Sequence, residues 1–313
     1  MLTYIIRRMA STVIVMIMVG LFVFLLLRLS PGDPAAIIAG DQATPEVIAG
    51  IRSKLGLDDP LAVQFIRWSW NILHLDFGIS IFSEQPVVTL LQQRLQPTIS
   101  LSLLTMILSI TVGIGFGIAA ARRPSGIADR LLTMFAALGF SVPVFVAGYF
   151  LVYWLAISLR WLPVQGYVPI EQDPWRWFVQ LILPTITLSL GYIALIARIT
   201  RASMLEVLAE DYIRTAAAKG VSEIKILLFH ALKNAGVPIL TVVGIGVAYL
   251  ISGVVITETV YNIPGIGRLI VDAINNRDYP IIEGVLILCS GAYVIVNLLV
   301  DLSYTLLDPR IRF

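Results

Sequence analysis

Residues able to carry acid–base, nucleophilic or metal chemistry are few in this sequence and stand far apart. There are two histidines, His74 and His230, and one cysteine, Cys289, in 313 residues. A nucleophile and its base must lie within hydrogen-bond reach of each other. Both histidines fall outside the long apolar runs and, on the charge pattern described below, on opposite sides of a membrane. Neither can therefore activate Ser141 in "GFSVP", which reads as a packing residue. A single cysteine excludes a disulfide framework and a cysteine-based metal site. Among the acids only Glu283 and Asp301 fall inside an apolar run, each toward an end. A carrier driven by protons or sodium would place ionisable groups deep in its spans, where they are costly and functional, so the pattern argues against that alternative.

No G-x-x-x-x-G-K-[ST] segment is present to cradle nucleotide phosphates. "GIGFG" at 113–117 follows no strand and lies within an apolar run, where small residues let helices approach. We expect neither a catalytic residue nor a metal ligand in this chain, and ATP has to act through a partner. What stands out instead is "EDYIRTAAAKG" at 210–220, charged, rich in alanine and ending in glycine, between two long apolar runs.

The elements that position this stretch follow from composition. With 58% hydrophobic and 13% charged residues, against about a quarter charged in soluble globular domains, the chain is expected to sit in a lipid bilayer. A net charge of +2 gives no reason to expect a nucleic acid partner. Crossing about 30 Å of hydrocarbon takes about 20 helical residues. Six apolar runs are long enough, at 9–27, 98–121, 131–159, 178–197, 236–257 and 281–307. The first is longer than the apolar core of a signal peptide and lacks a clear cleavage site, so an uncleaved span is expected. Pro143 and Pro184 are expected as kinks within spans, which could also flex.

Orientation follows from Lys and Arg. If the N-terminus is cytoplasmic, thirteen of the 22 fall inside, among them Arg7, Arg8, Arg122, Arg123, Arg130, Arg310 and Arg312, and nine fall outside over longer stretches. Cytoplasmic loops carry the excess, so both termini and the long loop 198–235 are expected in the cytoplasm. On the other side lie residues 29–97 and 258–280, expected as the two largest exposed segments. "VYNIPGIGRLI" joins a Pro-Gly turn to apolar residues and is expected to fold back rather than dangle. Trp68 and Trp70 fit either an interfacial belt or a dock for a binding protein.

The cytoplasmic loop reads as two helices with a break. "SMLEVLAEDYIRTAAAK" contains no Gly or Pro and is rich in good helix formers, and "SEIKILLFHALKNA" starts with Ser222 at an N-cap position. Gly220 stands at the joint, where a left-handed cap suits glycine. Ala216, Ala217 and Ala218 leave a helix side with little bulk, open to close approach by another surface. An amphipathic helix lying on the membrane is the plainer alternative.

"RTAAAKG" followed by "HALKNA" resembles the coupling-loop motif of the inner-membrane permeases of binding-protein-dependent ABC importers. The general motif runs Glu-Ala-Ala, three residues, Gly, nine residues, Ile-x-Leu-Pro. Aligned on Gly220, this chain carries Arg214, Thr215 and Ala216 first, then His230, Leu232 and Lys233. The stretch is similar to the variant of the dipeptide, oligopeptide and nickel permeases. "LSPGDP", "LGLDDPLAVQF", "LHLDFGIS", "TETVYNIPGIGRLIVDAINNRDYP" and "VDLSYTLLDPRIR" extend the resemblance over nearly the whole chain. It is closest in kind to the first of the two permease subunits, which has a long extracytoplasmic segment after its first span.

The resemblance implies an all-α membrane protein with six transmembrane helices, the type I ABC importer permease fold and both termini cytoplasmic. It implies an N-terminal span at 1–30, an extracytoplasmic segment at 31–96, a permease core at 97–307 with its coupling loop at 198–235, and a tail at 308–313. The implied partners are a second permease in a heterodimer, two cytoplasmic ATPase subunits or domains that bind ATP and Mg, and an extracytoplasmic substrate-binding protein. This chain itself binds no cofactor in that scheme. Coupling falls to Glu210, Asp211, Tyr212, Arg214, Thr215, Ala216, Ala217, Ala218, Lys219, Gly220, His230 and Asn234. Tyr261, Pro264, Gly265 and Gly267 are implied as the extracytoplasmic gate or binding-protein contact. Di- or oligopeptides are the implied cargo, with nickel chelates and glutathione as alternatives.

Overall fold

Backbone N–H and C=O groups in an apolar setting must find partners within the chain, and a helix supplies them locally. The computed structural model, which describes residues 2–28, 34–39, 43–54 and 56–307, is accordingly helical, with no strand among those residues. In chain order the helices begin with α1 (Leu2–Arg28), α2 (Pro34–Ala39), α3 (Pro45–Lys54), α4 (Leu61–Leu73), α5 (Val87–Arg122), α6 (Ile127–Ser141) and α7 (Val144–Leu151). There follow α8 (Pro174–Leu208), α9 (Asp211–Ala218), α10 (Glu223–Lys225), α11 (Leu232–Asn234), α12 (Gly236–Val260), α13 (Ile266–Asn275) and α14 (Tyr279–Leu307). Wider π-helical turns at Val152–Ser158 and Ile226–Ala231 extend α7 and join α10 to α11. The expected tail 308–313, with Arg310 and Arg312, and most of "LSPGDP" lie outside the described residues.

Among the described residues four helices are long and apolar enough to cross a membrane, and six if each of two bent pairs counts as one span. The run at 131–159 carries the kink expected at Pro143, here as a full break between two helices. It breaks between Ser141 and Val144 with a bend of 106°. The cause is local: Pro143 has no N–H to continue the ladder, and the residue before it, Val142, is driven to an extended conformation (φ −92°, ψ 119°). Ser141 consequently sits exposed at a helix end and is not the packing residue expected from sequence. The other long helices outrun their apolar cores. α5 starts at Val87 rather than 98, and α8 continues to Leu208.

The chain divides into two compact units, the first built from Gln96–Gly267 and Ile295 onward. Its centre is α8, of which Leu181, Leu183, Leu188, Tyr192 and Ile196 are fully buried. Glycines let the neighbouring helices reach it. A Cβ at Gly113 or Gly117 of α5 would lie 2.6–2.8 Å from Ile196 or Thr200, so "GIGFG" serves packing. Gly139 of α6 faces Ala194. On α12, the Tyr192 ring fills the space above Gly246 and its hydroxyl donates to Val243 O at 2.7 Å.

The second unit comprises Leu2–Leu95 and Arg268–Val294. Here Glu283 of α14 accepts from Arg28 Nη1 and from Trp68 Nε1, each at 2.6 Å. Phe24 packs edge-on to Phe65 and beneath Arg28. Trp68 is thus an internal anchor rather than part of an interfacial belt or dock, while Trp70 is exposed beside His74. The same unit holds Asp278, buried and accepting from Ser80 Oγ at 2.6 Å. Within 258–280, "VYNIPGIGRLI" folds back as expected, burying Tyr261, Ile263, Ile266 and Leu269, and Ala273 beyond it is buried as well. An apolar residue at a turn gains by folding inward wherever the backbone can cap itself.

The fit at α8 is testable by overpacking. Gly246→Ala would place a Cβ 1.8 Å from the Tyr192 ring and should cost about 1–3 kcal/mol or more. Gly115→Ala, with nothing within 4 Å, should be neutral. Thermal denaturation of the two purified variants in detergent distinguishes them, and equal midpoints would contradict the packing described.

Candidate functional site

The charged stretch between α8 and α12 is one continuous device. α8 ends at Leu208, and Glu210 turns extended (φ −69°, ψ 145°) before α9 begins at Asp211. The helix expected through 203–219 is therefore two helices. Glu210 O accepts the N–H groups of Ile213 and Arg214, and Asp211 places a negative charge in the first turn, where the helix dipole favours it. Thr215 Oγ1 donates to Asp211 O.

The far end of α9 closes by a Schellman motif. Gly220 N–H donates to Ala217 O at 2.9 Å and Val221 N–H to Ala216 O at 3.2 Å. This geometry requires a left-handed residue, and Gly220 has φ +81°. Beyond it Ser222 occupies the N-cap position of α10, but its side chain makes no capping hydrogen bond. The chain then runs through the π-helical turn and α11 into α12, at 63° to the α10–α11 axis.

Periodicity decides what α9 presents. Ile213 is buried, and Ala216, one turn on, is half-buried beside it. Arg214, Ala217 and Ala218, spaced i, i+3 and i+4, share the flank next to Ile213 and are exposed, as are Thr215 and Lys219. The small-residue surface is therefore Ala217 and Ala218, not all three alanines. Tyr212 and Asn234 are brought together: Asn234 Nδ2 donates to the Tyr212 hydroxyl at 2.7 Å and to His230 O at 2.8 Å. His230 enters through its backbone. Beneath this assembly Leu227, Ala231, Ala235 and Ile239 pack with Ala121 and Met204, the ends of α5 and α8.

Two ion pairs that sequence reasoning missed fasten the same region. Arg122, the last residue of α5, grips Glu223 with Nε and Nη2, both at 2.7 Å. That hydrogen-bonded guanidinium holds the Glu223 carboxyl below its usual pKa range. Arg201 similarly clasps Asp129, which also accepts from Ser125 N–H at 2.8 Å, tying the α5–α6 turn to α8. The partners stand 101 and 72 residues apart, and no local pattern announces them.

At the other end of α12, Tyr261, Pro264 and Gly265 lie in the connection to α13, and Gly267 in the first turn of α13. The Tyr261 hydroxyl shares a hydrogen bond of 2.6 Å with Thr187 Oγ1, and Tyr261 O accepts from Gly166 N–H. Under this connection lies Glu258, fully buried, which accepts from Thr98 Oγ1 at 2.5 Å. Neither Glu258 nor Thr98 was singled out from sequence. Among the described residues no group of three or more His, Cys, Asp and Glu side chains converges as a metal site. What the geometry offers is mechanical: a short exposed helix locked to two long ones.

Comparison with known proteins places the chain among transport components. A family described as "Binding-protein-dependent transport system inner membrane component" matches residues 113–313, and its N-terminal companion matches residues 1–102. The chain is 66% identical over 310 residues to a probable peptide ABC transporter permease protein of Sinorhizobium fredii, covering 99% of each. It is 44% identical over 313 residues to a putative peptide transport system permease protein of Brucella abortus, covering 100% of each. Identity is 41% over 313 residues, again 100% of each, to a glutathione transport system permease protein of Salmonella typhimurium.

The Arg122–Glu223 pair is exposed, so water and salt screen it and its hold on the segment is modest. Its loss in Arg122→Ala should free α10 and speed tryptic cleavage at Lys219 and Lys225 up to about fivefold. The exchange Arg122→Glu with Glu223→Arg should restore the slower rate. Cleavage indifferent to both changes would show that the pair does not hold the segment.

Proposed function

The chain belongs to the binding-protein-dependent transport system inner membrane components, and from that premise we infer that it is the permease subunit of an ATP-driven importer of peptides. It is a multi-pass inner-membrane protein of the peptide permease group. In our reading it is non-catalytic and forms, with a second permease as heterodimer, the pathway for di- or oligopeptides delivered by an extracytoplasmic binding protein. Two cytoplasmic ATPase subunits or domains would bind ATP and Mg. Six spans with both termini cytoplasmic accord with the excess of Lys and Arg on that side. The division into 1–30, 31–96, 97–307 with coupling loop 198–235, and 308–313 belongs to the same reading. Relatives named for peptides at 66% and 44% identity favour peptide cargo. The relative named for glutathione makes that tripeptide the second reading, and nickel chelates a third.

The observation that carries the mechanism is α9 itself. Its exposed Arg214–Ala217–Ala218 face is offered outward while Tyr212–Asn234 and the Gly220 turn fix its angle to the chain entering α12. A groove on an ATPase domain could admit a surface this small, with Arg214 and Lys219 at the rim. When two ATPase domains close on ATP, α9 would move as a rigid body and carry α8 and α12 with it. Tyr261, Pro264, Gly265 and Gly267 would shape the mouth facing the binding protein.

Co-expression with candidate partner permease and ATPases tests this directly. A purified complex whose ATP hydrolysis rises with a dipeptide-loaded binding protein supports the reading. A chain that purifies alone and moves solute down an ion gradient overturns it. Gly220→Val places a β-branched residue at φ +81° with open space around it, so only backbone strain of about 1–2 kcal/mol is introduced. Peptide uptake should fall severalfold at unchanged membrane insertion, and Gly220→Asn, which tolerates that conformation, should fall less. Normal uptake by Gly220→Val removes the role assigned to the turn.

A further inference from the structure

Glu258 is an acidic residue with no exposed surface, in the last turn of α12. Burying a carboxylate is costly unless hydrogen bonds meet it, so its surroundings explain its presence. The Thr98 hydroxyl stands between two groups: it donates to Glu258 Oε1 at 2.5 Å and accepts from Ile266 N–H at 2.8 Å. Gly265 and Gly267 leave the room the carboxylate occupies. A Cβ at Gly265 would lie 2.0–2.4 Å from it, and one at Gly267 would lie 3.0 Å from Oε2 and 2.5 Å from Val255 Cα. An apolar side chain could fill the same space. Only a directional acceptor fixes the turn to Thr98 of α5 as well as to α12.

The same two helices are joined at their other ends. From Thr98 to Arg122 is about 36 Å of α5, and from Gly236 to Glu258 about 33 Å of α12. Arg122 grips Glu223, which leads through α11 into α12. α5 and α12 are therefore two struts, pinned by Arg122–Glu223 at the coupling segment and by Thr98–Glu258 under the Tyr261–Gly267 turn. Tilting the coupling segment against α5 shears the struts, and the shear appears at Glu258.

We propose that Glu258 is the positioning residue that ties the Tyr261–Gly267 turn to the α5–α12 joint, so that the turn follows displacement of the coupling segment. The proposal rests on the importer reading above and gives this permease's outer turn an internal linkage to its ATPase side. Thr98 is the second element of the latch, and Gly265 and Gly267 are small because the latch fills their side-chain space.

The test uses the assembled complex with its partner permease and ATPases, and compares basal ATP hydrolysis with hydrolysis stimulated by dipeptide-loaded binding protein. If the wild-type complex shows no stimulation, the importer reading fails, independently of Glu258. Given wild-type stimulation, Glu258→Ala should lower the stimulated-to-basal ratio by about fivefold or more, the lower end of coupling between distant sites, with the basal rate kept. Thr98→Val, similar in shape but without the hydroxyl, should act in the same direction, which covers poor assembly of Glu258→Ala. Gly265→Ala should lose stimulation, and Glu258→Asp in the same chain, withdrawing the carboxyl by one methylene, should restore part of it. An unchanged ratio in Glu258→Ala and Thr98→Val overturns the proposal. So does a parallel fall of basal and stimulated rates without rescue, which is the behaviour of a residue that merely supports folding.

Discussion

Close approach of helices to α8 is the constraint on which the larger unit depends. A helix carrying Leu181, Leu188, Tyr192 and Ile196 buried along its length needs neighbours on several sides. Those neighbours can come near only where they lack side chains. α5, α6 and α12 each supply glycine at the contact, and α7 adds Gly148, packed against Thr187, Val260 and Tyr261. In a bilayer, where lipid is as apolar as leucine, such packing replaces the hydrophobic effect as the force between helices. Rigid attachment of α12 to α8 is what would allow a push at one end of the bundle to be felt at the other.

Against that rigid centre, charged groups appear at helix ends rather than along helix bodies. Arg122–Glu223, Arg201–Asp129 and Thr98–Glu258 each join a helix terminus or its adjoining turn to another helix. The placement follows from dielectric. A pair near an interface is met by water or by turn N–H groups, such as that of Ser125, whereas an ion in mid-span has neither. Glu283 in the smaller unit is likewise buried, and it is met by two donors, Arg28 and Trp68. The permease thus keeps its directional bonds where segments have to be held at defined angles, and leaves plain contact to the middle.

The broken run around Pro143 and the uninterrupted α8 around Pro184 show how context decides what a proline does. Both lack the N–H that continues a helix. Val142 is extended before Pro143 and the chain bends by 106°, while Pro184 is buried inside a helix that continues past it. The bend turns α7 toward α8 and α12, where Gly148 and Tyr261 meet.

Sequence by itself determined the apolar runs, the helical class, the charge bias, and the charged segment with its glycine turn, because each depends on neighbours in the chain. Residue spacing of 3.6 and the left-handed preference of glycine are local physics, and Gly220 at φ +81° is their direct expression. Tertiary structure alone decided which alanines of α9 face outward, since burial of Ile213 sets the helix rotation. It alone placed Ser141 at an exposed helix end and Trp68 on Glu283. It also chose the partners Thr98 and Glu258, 160 residues apart. A hydrogen bond between distant residues depends on where two helices cross, and the crossing is fixed by side-chain volumes over the whole interface, which no short window of sequence contains.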